Sequence, residues 1–203
     1  MFEDTYYTIS APSEGLFKDR GSRFIALAYP VTNEKEIKEI QASLRKKYHD
    51  ARHHCYAYRL GYDKSVYRVN DDGEPSGTAG KPIFGQIQSK DLTNIFIVVI
   101  RYFGGTLLGV SGLINAYRSA ATDAIDHAQI IHKIVMDLYE ISFEYIAMND
   151  VMRLLKDHGL QQINQQFDLN CKLSFAVRKN DVSSIYEKMK KIESLQIKFI
   201  QTL

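Results

Sequence analysis

The stretch Asn94–Arg101, NIFIVVIR, limits the fold more than any other part of the chain. From Ile95 to Ile100 it carries no polar residue, so neither face of a strand laid there can look at water. Such a run reads as a strand covered on both sides. It is also far too short to span a bilayer as a helix. Around it, Tyr6–Ile9 and Arg23–Tyr29 read as strands, the second with alternating, β-branched and aromatic character. Arg52–Leu60 reads as a further strand with Ser65–Val69 as a short partner. Thr32 or Asn33 caps a helix over Glu34–Tyr48, whose Ile37, Ile40 and Leu44 share one face and whose Glu34 and Glu36 sit in the favoured first turn. A helix near Pro82–Ser89 is expected to open on Pro82, whose missing N–H costs nothing there. Ser111 is expected to cap a long helix over Gly112–His127, with Leu113, Ala116, Tyr117, Ala120, Ala121 and Ala124 as a small-residue packing face.

The chain has 203 residues, enough for two domains with cores of their own. Its composition shifts at about Asp126–His132. Beyond that the order is strand Lys133–Tyr145, helix Met148–His158, strand Leu160–Phe167, strand Asn170–Arg178, helix Asp181–Lys190 and strand Gln196–Gln201. This β-α-β-β-α-β order is the ferredoxin-like arrangement. The expected class is therefore α+β, with one domain over residues 1–130 and a ferredoxin-like domain over residues 131–203. The net charge of +2, from 26 basic and 24 acidic residues, argues against holding nucleic acid by bulk phosphate neutralisation. Cys55 and Cys171 lie far apart, and the start MFEDTYYTIS has no basic segment leading into an apolar one. A reduced, cytoplasmic protein without a membrane segment is the expectation.

Three constellations could carry chemistry. The first is DDGEPSGTAGKPI, Asp71–Ile83. Its glycines allow close approach of a ligand, and amides near Thr78, Ala79 and Gly80 at a helix start would favour an anion, with Lys81 adding charge. The Walker pattern would need glycine at position 75 and a hydroxyl residue at position 82, and both are proline here. Asp71, Asp72 and Glu74 could hold a cation or form an acid–base pair, or simply make a solvated acidic turn. No metal is expected, because no histidine or second acidic cluster is tied to them by spacing.

The second constellation is RYFGGTLLGVSG, Arg101–Gly112, which leaves the buried strand at its carboxyl end, where ligands sit in open α/β sheets. It lacks the dinucleotide pattern, and its glycines could equally well only shape a turn. The third gathers His49, His53, His54 and Cys55 in a zinc-like cluster. On a strand, however, His53 and Cys55 point one way and His54 the other. In the second domain Lys188, Lys190, Lys191 and Lys198 make a modest basic face, and no catalytic cluster is evident.

DDGEPSGTAGKPI, followed by VVIRYFGGTLLGVSGLINAYRSAA and preceded by HHCYAYRLG, resembles the signature of the YigZ/IMPACT family, in particular its bacterial two-domain members. The resemblance implies an N-terminal β-α-β domain like a small-subunit ribosomal protein and domain IV of elongation factor G. It implies a ferredoxin-like C-terminal domain like that of the same factor. It also implies kinship with eukaryotic translation regulators that act through protein partners of a stress kinase pathway. The family motif falls on Asp71, Asp72, Gly73, Glu74, Pro75, Gly77, Thr78, Ala79 and Gly80, then on Pro82. It resumes on Arg101, Tyr102, Phe103, Gly104, Gly105 and Gly109, then on Gly112, Ala116 and Tyr117. Leu107, Ser111 and Asn115 stand where the family often has lysine, glycine and arginine, which removes charge from the second loop.

The expected binding residues are Asp71–Lys81, with Ser76 and Lys81 included, and Arg101–Gly105 with Gly109. The function expected is binding without catalysis, of RNA, the ribosome or a translation-associated protein, with no cofactor. The alternative is a hydrolase-like enzyme for a phosphorylated or peptide-like ligand, with Asp71, Asp72 or Glu74 as base and Lys81 or Arg101 as anchor.

Overall fold

The computed structural model describes residues 4–168 and 170–203. Two compact units emerge, one over Tyr6–Lys133 and one made of residues 4–5 with Ile134–Leu203.

A short strand β1 (Thr5–Ile9) pairs with β7 (Ile130–Ile134), and the first unit is built on a larger sheet. The main sheet has the order β2 (Ser13–Asp19), β3 (Ser22–Pro30), β6 (Ile95–Tyr102), β4 (His53–Leu60), β5 (Val66–Asn70). Every neighbouring pair is antiparallel. Since β6 runs against both β3 and β4, those two are parallel to each other. They are joined by α1 (Glu34–Lys47), and β6 lies between them, which makes a split β-α-β unit. β6 feeds two cores by alternation. Ile95, Ile97 and Val99 join the core beneath α2 (Gly80–Ser89) and α3 (Gly109–Asp126). Phe96, Val98 and Ile100 join Ile37 and Leu44 of α1 on the other face. Each fully buried side chain of this kind contributes about 1.5–3 kcal/mol. The α1 cap is reciprocal: Asn33 Oδ1 accepts from the Glu36 amide, and the Glu36 carboxylate accepts from the Thr32 amide.

Several boundaries differ from the sequence reading. β2 was not foreseen, and it packs on α3. It turns into β3 through Arg20 and Gly21, both with positive φ. α2 starts at Gly80, so Pro82 is its third residue; the amides of the whole first turn are unpaired in any helix, so proline is tolerated there too. α3 starts at Gly109, which puts Ser111 inside the helix, where it cannot cap. The long strand expected over Lys133–Tyr145 is broken at Val135, whose amide donates to the Asp4 carbonyl and whose carbonyl accepts from Lys179.

The second unit runs β8 (Met136–Glu144), α4 (Met148–Asp157), β9 (Gln162–Gln166), β10 (Asn170–Arg178), α5 (Val182–Met189), β11 (Gln196–Thr202). Its sheet order is β11-β8-β10-β9, all antiparallel. This is the ferredoxin-like topology. Tyr139, Ile141 and Phe143 of β8 alternate inward with Leu173, Phe175 and Val177 of β10, against Val151, Leu155 and Ile185 of the helices.

Candidate functional site

The first glycine loop is organised by its own carboxylates. Asp71 Oδ2 accepts from the Gly77 amide at 2.8 Å, and Oδ1 accepts from the amides of Ala79 and Gly80 at 3.0 and 2.8 Å. These are the amides expected to meet an anion, and Asp71 already fills that role from inside the chain. Thr78, Ala79 and Gly80 are buried, so an outside anion finds no open amides there. Asp72, with φ +43, accepts from Arg45 and from the His54 amide. Neither aspartate is free to act as a base.

Glu74 turns inward and binds a different set. Its side chain is 4% exposed and its Oε1 accepts from Arg101 Nη1 at 2.5 Å and from the Tyr117 hydroxyl at 2.8 Å. The Cys55 thiol lies 3.3 Å from that hydroxyl and donates to the Asp71 carbonyl at 3.0 Å. Burial pushes the Cys55 thiol and the Tyr117 hydroxyl well above their ordinary ranges, so neither ionises near neutral pH and Cys55 is no nucleophile. His53 Nδ1 is 2.8 Å from the Asp72 carbonyl. A carbonyl only accepts, so Nδ1 is the donor and Nε2 is left facing Glu74 Oε1 at 4.0 Å. His54 points to the opposite face of β4, with both ring nitrogens buried. The zinc-like cluster is therefore divided between two sides of the sheet, and Asp71, Asp72 and Glu74 face separate partners.

The second loop completes a pocket of about 420 Å³. Of the expected binding residues, Glu74, Pro75, Arg101, Phe103 and Gly109 line it. Arg52, His53, Leu107, Leu108, Val110 and Leu113 line it too, and sequence reasoning had not placed them. Its floor is charged, since the Arg101 side chain is 7% exposed. Its rim is apolar and open: Phe103 is 52%, Leu107 80% and Val110 60% exposed. The other expected residues do not line it. Tyr102 alternates to the α1 side, where its hydroxyl donates to Asp50 and Arg23 stacks on its ring. Gly104 is packed against the β2–β3 turn, where an added Cβ would lie 1.9 Å from the Gly21 carbonyl carbon. Ser76 and Lys81 are exposed and do not line the pocket. Because β6 is antiparallel to both neighbours, the carboxyl-end rule for parallel sheets has no bearing here. The pocket forms where β4 begins and β6 ends, closed by the two loops and the start of α3.

The signal that could have found the missed residues is modest. His53 shares a strand face with Cys55. Leu107 and Val110 are large apolar residues in a glycine loop that already had to be exposed.

The family model for the Impact N-terminal domain matches residues 20–125, a span that holds both loops, β4 and Tyr117. The chain is 29% identical over 185 residues to IMPACT family member YvyE of Bacillus subtilis (strain 168), covering 91% of this chain and 85% of that one. It is 33% identical over 160 residues to IMPACT family member YigZ of Escherichia coli (strain K12), covering 78% of each. With Protein IMPACT of Homo sapiens it shares 36% identity over 96 residues, 45% of this chain and 29% of that one. A crystal structure of a hypothetical protein superposes with a TM-score of 0.73 at 30% identity, covering 98% of this chain and 99% of that one. With a family match over the segments that build the pocket and bacterial relatives alike over most of its length, the chain belongs to the IMPACT family.

Proposed function

We propose that the chain is a binding protein without catalytic activity, linked to translation or its regulation, which meets a protein partner through the rim of this pocket. The observation that carries the reading is a division of labour in the loops. Their carboxylates and helix-start amides are spent on each other, while Phe103, Leu107 and Val110 stand exposed around a concave site. Exposed apolar side chains around a pocket favour a protein over RNA, whose phosphates call for lysine and arginine. Leu107 in place of the family's frequent lysine points the same way. The link to translation rests on kinship with the eukaryotic regulators. Co-sedimentation with ribosomes and translating complexes, compared between wild type and Leu107→Glu/Val110→Glu, tests it. The wild type is expected to associate and the double variant to lose at least about tenfold in affinity, as a lost apolar anchor does. Equal association of both proteins, or none by either, refutes the reading.

A second reading, a hydrolase-like enzyme, draws on one observation. His53 presents Nε2 in a pocket floored by Arg101, which is the geometry of a general base beside an anion anchor. A screen over phosphorylated and peptide-like substrates decides it: equal rates for wild type and His53→Ala remove it.

A further inference from the structure

The geometry points to a free peptide C-terminus as the group this pocket receives, its α-carboxylate on the Arg101 floor and its last apolar side chain against the rim. The inference rests on the binding-surface reading above and names the chemistry of the partner. Arg101 is the starting point. A guanidinium carries five N–H donors. Among the described residues Nη1 is the nitrogen with a partner, Glu74, while Nε is buried with none. Nη2 also has no partner among the described residues and, unlike Nε, is not fully enclosed, so it is left to donate a charge-assisted hydrogen bond to a ligand carboxylate. The charge balance agrees. Two arginines, Arg52 and Arg101, line the pocket with one carboxylate, Glu74, and Arg52 has no ion-pair partner among the described residues.

The apolar lining selects among carboxylates. Leu108 and Leu113 line the same pocket as Arg101, with Val110 and Phe103 at its edge. The occupant must therefore carry apolar surface directly beside its negative charge. A C-terminal residue does so within one unit, because carboxylate and side chain share a Cα. An internal aspartate or glutamate needs a second residue for the apolar contact. A site of about 420 Å³ is within the range of roughly 300–1,000 Å³ usual for ligand pockets, and its open side lets the rest of a peptide leave.

Three probes test this by titration followed through backbone NMR shifts of the full chain: acetyl-alanyl-leucine with a free carboxylate, the same peptide amidated, and an amidated peptide with an internal glutamate beside leucine. The free acid is expected to bind at least about tenfold more tightly than either amide, the gain of a charge-assisted hydrogen bond, and to shift the amides of Phe103, Gly109 and Val110. Arg101→Gln can unfold the unit by stranding Glu74. Arg52→Ala and Val110→Ser change exposed side chains, and both are expected to weaken the free acid. Equal affinity for acid and amide, tighter binding of the internal glutamate, insensitivity to both variants, or no binding overturns the inference. The two readings separate cleanly. If the peptide fails while Leu107→Glu/Val110→Glu still abolishes co-sedimentation, the C-terminus falls and the surface stands. If the peptide binds but the rim variant co-sediments unchanged, the partner surface falls and the ligand stands.

Discussion

Asp71 shows how a residue can be recognised correctly and assigned the wrong task. Its neighbours in sequence suggest an anion-binding loop, and the loop does bind an anion, but the anion is Asp71 itself. It reaches the start of α2 from outside the helix and accepts from Gly77, Ala79 and Gly80. No local rule reveals this, because capping residues ordinarily adjoin their helix. The same loop explains why Glu74 was legible only as a carboxylate. Its partners, Arg101 and Tyr117, come from β6 and α3, so its burial is set by the tertiary fold. Asp71→Ala is expected to cost about 2 kcal/mol, because buried amides lose their acceptor. Asp71→Asn is expected to cost about half as much, since a neutral acceptor bonds less strongly than a charged one. Urea denaturation followed by far-UV circular dichroism measures both. A loss within error of zero for Asp71→Ala would show that water replaces the carboxylate.

At the scale of elements, the central strand β6 was legible because both its faces are apolar, and α1 because its cap is local. β2 was not, because its sequence, SEGLFKD, has polar ends and a glycine inside. That glycine is the reason the strand works. α3 lies so close that a Cβ on Gly15 would sit 2.2 Å from the Ala124 amide nitrogen. The small-residue face read from sequence on α3, with Ala120, Ala121 and Ala124, is what permits the approach. Gly85 is the contrast: it lies inside α2, and a Cβ there meets nothing within 4 Å. Gly15→Ala is therefore expected to lower stability by about 3 kcal/mol, in the range of overpacking. Gly85→Ala is expected to raise it by about 0.5–1 kcal/mol through helix propensity. Thermal unfolding of the pair is the measurement, and shifts of the same sign would contradict the packing described.

At the scale of the molecule, the two units respond to acid through different groups. Burial depresses the His54 imidazole below its ordinary 6.5 in the first unit. The unfolded chain then binds that proton more readily, so stability is full above about 6.5 and falls as the pH drops below it. In the second unit the Arg178 guanidinium holds Asp4 below 3.8, so this contribution persists above 3.8 and is lost only beneath it. Urea unfolding at pH 7 and pH 5, followed by amide cross-peaks of each unit, is expected to show the first unit weakening and the second holding; a second unit that weakens first would contradict it. The topology of the main sheet also has a consequence in time. During synthesis β2–β3 and β4–β5 emerge as two separate hairpins, because the strand that joins them, β6, lies later in the chain than both. Until Tyr102 leaves the ribosome neither core can close. The nascent chain therefore carries two unpaired strand edges and two bare apolar faces, a long window in which it depends on whatever shields it.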